Sequence, residues 1–100
     1  RRLKKVIVIK EECHGVIGVA ENMWGVFAFL LENDWLYEQS EFIENYNTPE
    51  EEWLTLYELQ KKYECNSLFE TLLCLWEKDK GYFDGCFYFE EMTLWEYNPK

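Results

Sequence analysis

Between Glu11 and Gln60 the chain has no Lys and no Arg, although those fifty residues hold twelve Asp and Glu. Folded surfaces ordinarily mix both signs, and a charge of −10 is repelled by nucleic acid and by anionic membranes alike. Long apolar runs are also missing. The longest, Met23–Leu31, is nine residues, about half of what a bilayer crossing needs. With a single His, His14, there is little provision for proton transfer near neutral pH. No phosphate-cradling glycine loop, nucleophile elbow or metalloprotease helix is present, so the sequence points away from an enzyme. The four Cys form no C-x₂-C pair, and Val6–Ile9 is too short for a signal-peptide core. Reduced thiols in a bacterial cytoplasm are the expectation.

Aromatic residues are abundant instead: five Trp, seven Tyr and seven Phe. Acidic disordered chains lack them, so residues 1–100 are expected to form a single compact domain with one modest core. The charge is unevenly spread. Residues 1–10 carry five basic side chains, and residues 61–100 carry five against eight acids.

Leu3–Ile9 is β-branched at its centre and reads as a strand apolar on both faces. Glu11–Gly15 turns, and Val16–Ala20 forms a second strand, with Gly18 marking a bulge or a close approach. Asn22 is an N-cap for a helix over Met23–Glu32, closed by Asn33 and Asp34. Trp35–Tyr46, polar on both faces, reads as an edge strand. Thr48-Pro49-Glu50-Glu51 predicts a capped helix running to about Tyr63. Ser67-Leu68-Phe69-Glu70 opens another, over Leu68–Lys78, ending at Gly81. Asp84-Gly85 is a turn, and Cys86–Phe89 and Met92–Tyr97 are one or two closing strands. The expected fold is α+β: a small antiparallel sheet, made of the N-terminal hairpin and the C-terminal strand or strands, covered by about three helices.

Two chemistries fit these residues. Glu38, Glu41, Glu44, Glu50, Glu51 and Glu58, interleaved with Tyr37, Tyr46 and Tyr57, form an acidic, Tyr-bearing surface free of basic neighbours. Tyr is frequent at interface hot spots, and the carboxylates suit a basic protein partner. Solubility alone is the plainer explanation, and Glu50–Glu52 also suit a helix start. The other chemistry is structural zinc, which takes four soft ligands. Cys13, His14, Cys65 and Cys86 lie at element ends or in loops, where distant segments can converge. Burial as ordinary small side chains is the alternative for these thiols. Cys74, on the polar side of its helix, is the thiol least suited to a core.

Three stretches, Cys13-His14-Gly15-Val16-Ile17-Gly18-Val19-Ala20, Glu32-Asn33-Asp34-Trp35-Leu36 and Tyr82-Phe83-Asp84-Gly85-Cys86-Phe87-Tyr88-Phe89, resemble a group of short acidic proteins. Its members come from phages and mobile elements of Gram-positive bacteria. The shared motifs are structural and bring no catalytic signature. Positions 13 and 86 are often Ser in that pattern, which implies that a zinc site using Cys13 and Cys86 is a local feature. By analogy with anti-CRISPR inhibitors, the resemblance implies a non-enzymatic protein that mimics nucleic acid and occludes a nuclease, most concretely a Cas nuclease. The alternative is a zinc-stabilised structural or regulatory module whose acidity serves solubility.

Overall fold

The structure is a computed structural model that describes residues 2–36 and 42–96. The β-branched start forms β1 (Arg2–Glu11), and Gly15, at φ 73°, reverses the chain into β2 (Gly15–Ala20). Asn22 caps α1 (Met23–Glu32), its side chain accepting the Gly25 amide at 2.9 Å. Short strands β3 (Phe42–Ile43) and β4 (Leu54–Thr55) pair with each other. Helices α2 (Leu56–Lys62) and α3 (Leu68–Lys78) follow, then β5 (Phe87–Glu96). The main sheet has the order β2-β1-β5, antiparallel throughout, with β1 central as its continuous apolar run requires. The fold is α+β.

The helices cover one face of this sheet. Ile9 and Phe87 from the sheet meet Val26, Phe27 and Leu30 of α1, Leu56 and Leu59 of α2, and Leu72 and Leu75 of α3. Phe27 is the hub: its ring centroid lies 5.5 Å from Phe83, 6.0 Å from Phe89 and 6.5 Å from Trp76. Such tilted and edge-on contacts add to the area these rings bury. Gly18 lets Phe29 approach the sheet, since a Cβ there would stand 2.8 Å from the Phe29 ring. A bulge lies beside it: Ile9 pairs with Gly18, but Lys10 already pairs with Val16.

Three sequence expectations are corrected. Thr48-Pro49-Glu50-Glu51 starts only one 3₁₀ turn, Glu50–Glu52. Trp53 is then extended, with its Nε1 donating to the Thr48 carbonyl at 3.0 Å, and β4 pairs with β3. The helix starts seven residues later, where Thr55 and Glu58 complete a capping box. Two capping signals lay in series, and pairing of Leu54–Thr55 with Phe42–Ile43 favours the second.

Of the edge strand expected over Trp35–Tyr46, the described residues form β3 alone, which pairs with β4 outside the main sheet, and residues 37–41 lie outside those described. Gly81 does not end α3. Asp79 does, and Gly81 is buried within a second 3₁₀ turn, Lys80–Tyr82. Of the one or two closing strands expected, the single strand forms: β5 is ten residues long and continuous through Glu90-Glu91, whose carboxylates Lys10 and Lys5 approach at 2.6 and 3.6 Å.

Candidate functional site

Three connections meet at one end of the molecule: the β1–β2 turn, the segment after β3, and the turn before β5. The Glu12 amide donates to the Cys86 carbonyl at 2.9 Å, which brings the first and last of these together. Asn45, 2% exposed, anchors the second. Its Nδ2 donates to Asp79 Oδ2 at 2.9 Å, and its Oδ1 accepts the Asn47 amide at 2.9 Å. The Tyr46 amide donates to the Gly81 carbonyl at 2.8 Å. The Tyr46 ring packs against Gly85, whose positive φ of 84° shapes the turn.

Here lies a cleft of about 390 Å³ lined by Glu12, Glu44, Tyr46, Trp53, Asp84 and Cys86, among others. An adjoining cavity of about 230 Å³ is lined by Trp35, Phe42, Glu44, Tyr82 and Cys86, among others. Among the described residues, neither lining includes a Lys or Arg. The crowding of carboxylates registers on Cys86: burial first, then Glu44, Glu12 and Glu11, push its thiol above the ordinary range. A thiol held protonated in this way is a poor nucleophile.

The residues singled out in the sequence fall into distinct groups. Glu44 and Tyr46 stand in the cleft, with Tyr46 77% exposed. Glu50 and Glu51 are exposed on the 3₁₀ turn between the cleft residues Thr48 and Trp53. Tyr57, 56% exposed, stands on the first turn of α2, and Phe42, 65% exposed, is the strand partner of the α2 cap Thr55. Glu58 is exposed but engaged, its carboxylate accepting the Thr55 amide at 3.0 Å. Tyr37, Glu38 and Glu41 lie outside the described residues.

Glu12, Asp84, Phe42 and Trp53 were missed as site residues. Asp84 and Glu12 read from sequence as turn residues, and only the pairing of β1 with β5 brings them together. Phe42 could have been flagged as a large apolar residue between acids.

The four thiol and imidazole positions do not assemble a metal site. Cys65 lies between α2 and α3, its thiol 3.7 Å from the Tyr63 carbonyl, and it neighbours Cys74. Cys13 and His14 occupy the β1–β2 turn, where Glu11 engages them. Glu11 Oε1 accepts the Cys13 amide at 2.8 Å and the His14 amide at 2.9 Å, and lies 2.7 Å from His14 Nδ1. The bond to His14 is the main cause that holds the Glu11 carboxyl below its usual range. Among the described residues, no group of three or more His, Cys, Asp or Glu is placed to hold a metal ion.

Comparison with protein-family models, with curated proteins and with solved structures finds nothing similar to this chain. Among the described residues, no helix is long and apolar enough to cross a membrane.

Proposed function

We propose that this protein is a non-enzymatic binding protein whose acidic cleft and exposed aromatics dock on a basic, nucleic-acid-handling enzyme and occlude its nucleic-acid channel. One observation carries the reading. Glu12, Glu44 and Asp84 share a cleft with exposed Tyr46, and no Lys or Arg lines it among the described residues. Glu50 and Glu51 extend the negative field beside it. An unneutralised field of this kind steers a basic partner into encounter. Tyr46, Tyr57 and Phe42 supply the apolar contact that charge alone does not give. The lysines of the sheet are turned to other work, Lys4 pairing with Glu21 at 2.6 Å and Lys10 with Glu90 at 2.6 Å.

A Cas nuclease is the concrete target, since its guide and DNA channels are basic and the resemblance to phage proteins agrees with it. The test is displacement of DNA from a panel of Cas nucleases at rising salt. Binding that weakens with ionic strength supports the reading, because exposed charge pairs are screened. Salt-insensitive binding would place the contact elsewhere on the surface.

A further inference from the structure

Two of the four cysteines meet at the corner between α2 and α3. Cys65 lies in the connection, where its amide donates to the Gln60 carbonyl at 3.0 Å and its carbonyl accepts Gln60 Nε2 at 3.3 Å. Its thiol donates to the Tyr63 carbonyl at 3.7 Å. Cys74 and Lys78 are one turn apart on the same face of α3, and Lys78 Nζ stands 5.5 Å from the centroid of the Tyr63 ring. The connection is thereby laid along the face of α3 that carries Cys74, and the Cys65 thiol is a side-chain hydrogen-bonding neighbour of the Cys74 thiol. Core packing does not account for the pair. Among the described residues, Cys86 is the cysteine packed against the hydrophobic core, whereas Cys65 and Cys74 are half-buried away from it.

We propose that Cys65 and Cys74 are a redox modification site, a dithiol that a small-molecule disulfide converts to an intrachain disulfide across the α2–α3 corner. The structure holds the reduced form, with both thiols free. Oxidation runs in two exchanges. Cys65 Sγ, as thiolate, attacks one sulfur of the small disulfide, forming a mixed disulfide and expelling one small thiolate. Cys74 Sγ then attacks Cys65 Sγ, forming the Cys65–Cys74 bond and expelling the second. The cysteines together lose a pair of electrons, the reagent gains it, and both thiol protons end on the expelled small thiols.

The order of attack follows from the surroundings. Burial, the largest influence on Cys74, pushes that thiol above its ordinary range, so Cys65 reacts first and Cys74 resolves. Cys65 also lies outside both helices. The approach that an S–S bond of about 2.05 Å requires therefore falls on a connection and breaks no helical hydrogen bond. The closed ring runs from Cys65 to Cys74, and cross-linking it removes freedom mainly from the unfolded chain.

Peptide mapping of the intact chain after exposure to excess oxidised glutathione tests this. Remaining thiols are alkylated and the chain is then cut with trypsin after Lys and Arg. Residues 63–78 come away as one peptide holding both Cys65 and Cys74, while Cys13 and Cys86 fall in residues 11–61 and 81–100. The disulfide should appear as an unalkylated 63–78 peptide, about 2 Da lighter than its dithiol form. Cys74→Ser should instead trap glutathione on Cys65, and Cys65→Ser should take it up at Cys74 roughly tenfold more slowly. The oxidised wild type should melt roughly 5–15 °C above the reduced chain. Bonds through Cys13 or Cys86, glutathione retained on Cys65 of the wild type, or a 63–78 peptide left fully reduced overturns the proposal. So does a Cys65–Cys74 bond that lowers the melting midpoint.

Discussion

Asn45 Nδ2 donates to Asp79 Oδ2 at 2.9 Å, tying the segment after β3 to the end of α3 across thirty-four positions of sequence. Asp79 Oδ1 in turn accepts the Gly81 amide at 3.0 Å, and the Gly81 carbonyl accepts the Tyr46 amide. This knot fixes the backbone on either side of Glu44 and Tyr46, so the acidic cleft depends on a buried amide with no charge of its own. Asn45→Ala removes the donor to Asp79 and the acceptor for Asn47. It should cost about 1–3 kcal/mol of unfolding free energy in a urea titration. Gly81→Ala should cost more, because a Cβ there collides with Asn45 Oδ1.

The capping boxes make a paired prediction. Thr55→Ala should destabilise by about 1 kcal/mol, since Thr55 holds the α2 start. Thr48→Ala should have a smaller effect, because no side-chain cap bond forms at the 3₁₀ turn that follows it. Equal losses in thermal melts of the two variants would mean that the helix starts earlier than the structure has it.

At the centre of the core, Phe27→Ala should cost about 3–5 kcal/mol. Phe27 is fully buried and faces Phe83, Phe89 and Trp76 at once, so the cavity cannot close from one side. A loss below about 1 kcal/mol would contradict this packing.

Thiol reactivity should sort the cysteines by environment. Cys13 is exposed and should be alkylated first. Burial raises the Cys74 and Cys86 thiols, so both remain protonated at pH 8 and should react slowly. Because their pKa values are raised, their rates should keep climbing at higher pH, after an unperturbed thiol has levelled off. Mass-spectrometric mapping of a short iodoacetamide pulse at several pH values checks the order.

Much of this fold was legible because local and tertiary signals agree. The Val6–Ile9 run, the Asn22 cap and the Ser67 cap each specify what forms, with Ser67 Oγ accepting the Glu70 amide at 3.0 Å. Legibility failed where two local signals competed and a distant partner decided. Thr48 and Thr55 both announce a helix, and only the pairing of Thr55 with Phe42 separates them. The candidate site failed in the same way. Glu44 and Tyr46 were visible as acid and aromatic in a chain without bases, but Glu12 and Asp84 join them only through β1–β5 pairing. The metal set failed because four soft ligands in loops say nothing about which loops meet: Cys13 and Cys86 lie at one end, and Cys65 neighbours Cys74 instead.

The most direct measurement is a competition assay in which the protein displaces labelled DNA from a Cas nuclease. Wild type is compared with a Glu44→Lys, Glu50→Lys, Glu51→Lys variant, its fold checked by circular dichroism. The wild type should displace DNA at low salt and lose roughly tenfold or more in potency on charge reversal. No displacement from any nuclease tested, or equal potency in the folded variant, would contradict the acidic cleft as a binding face.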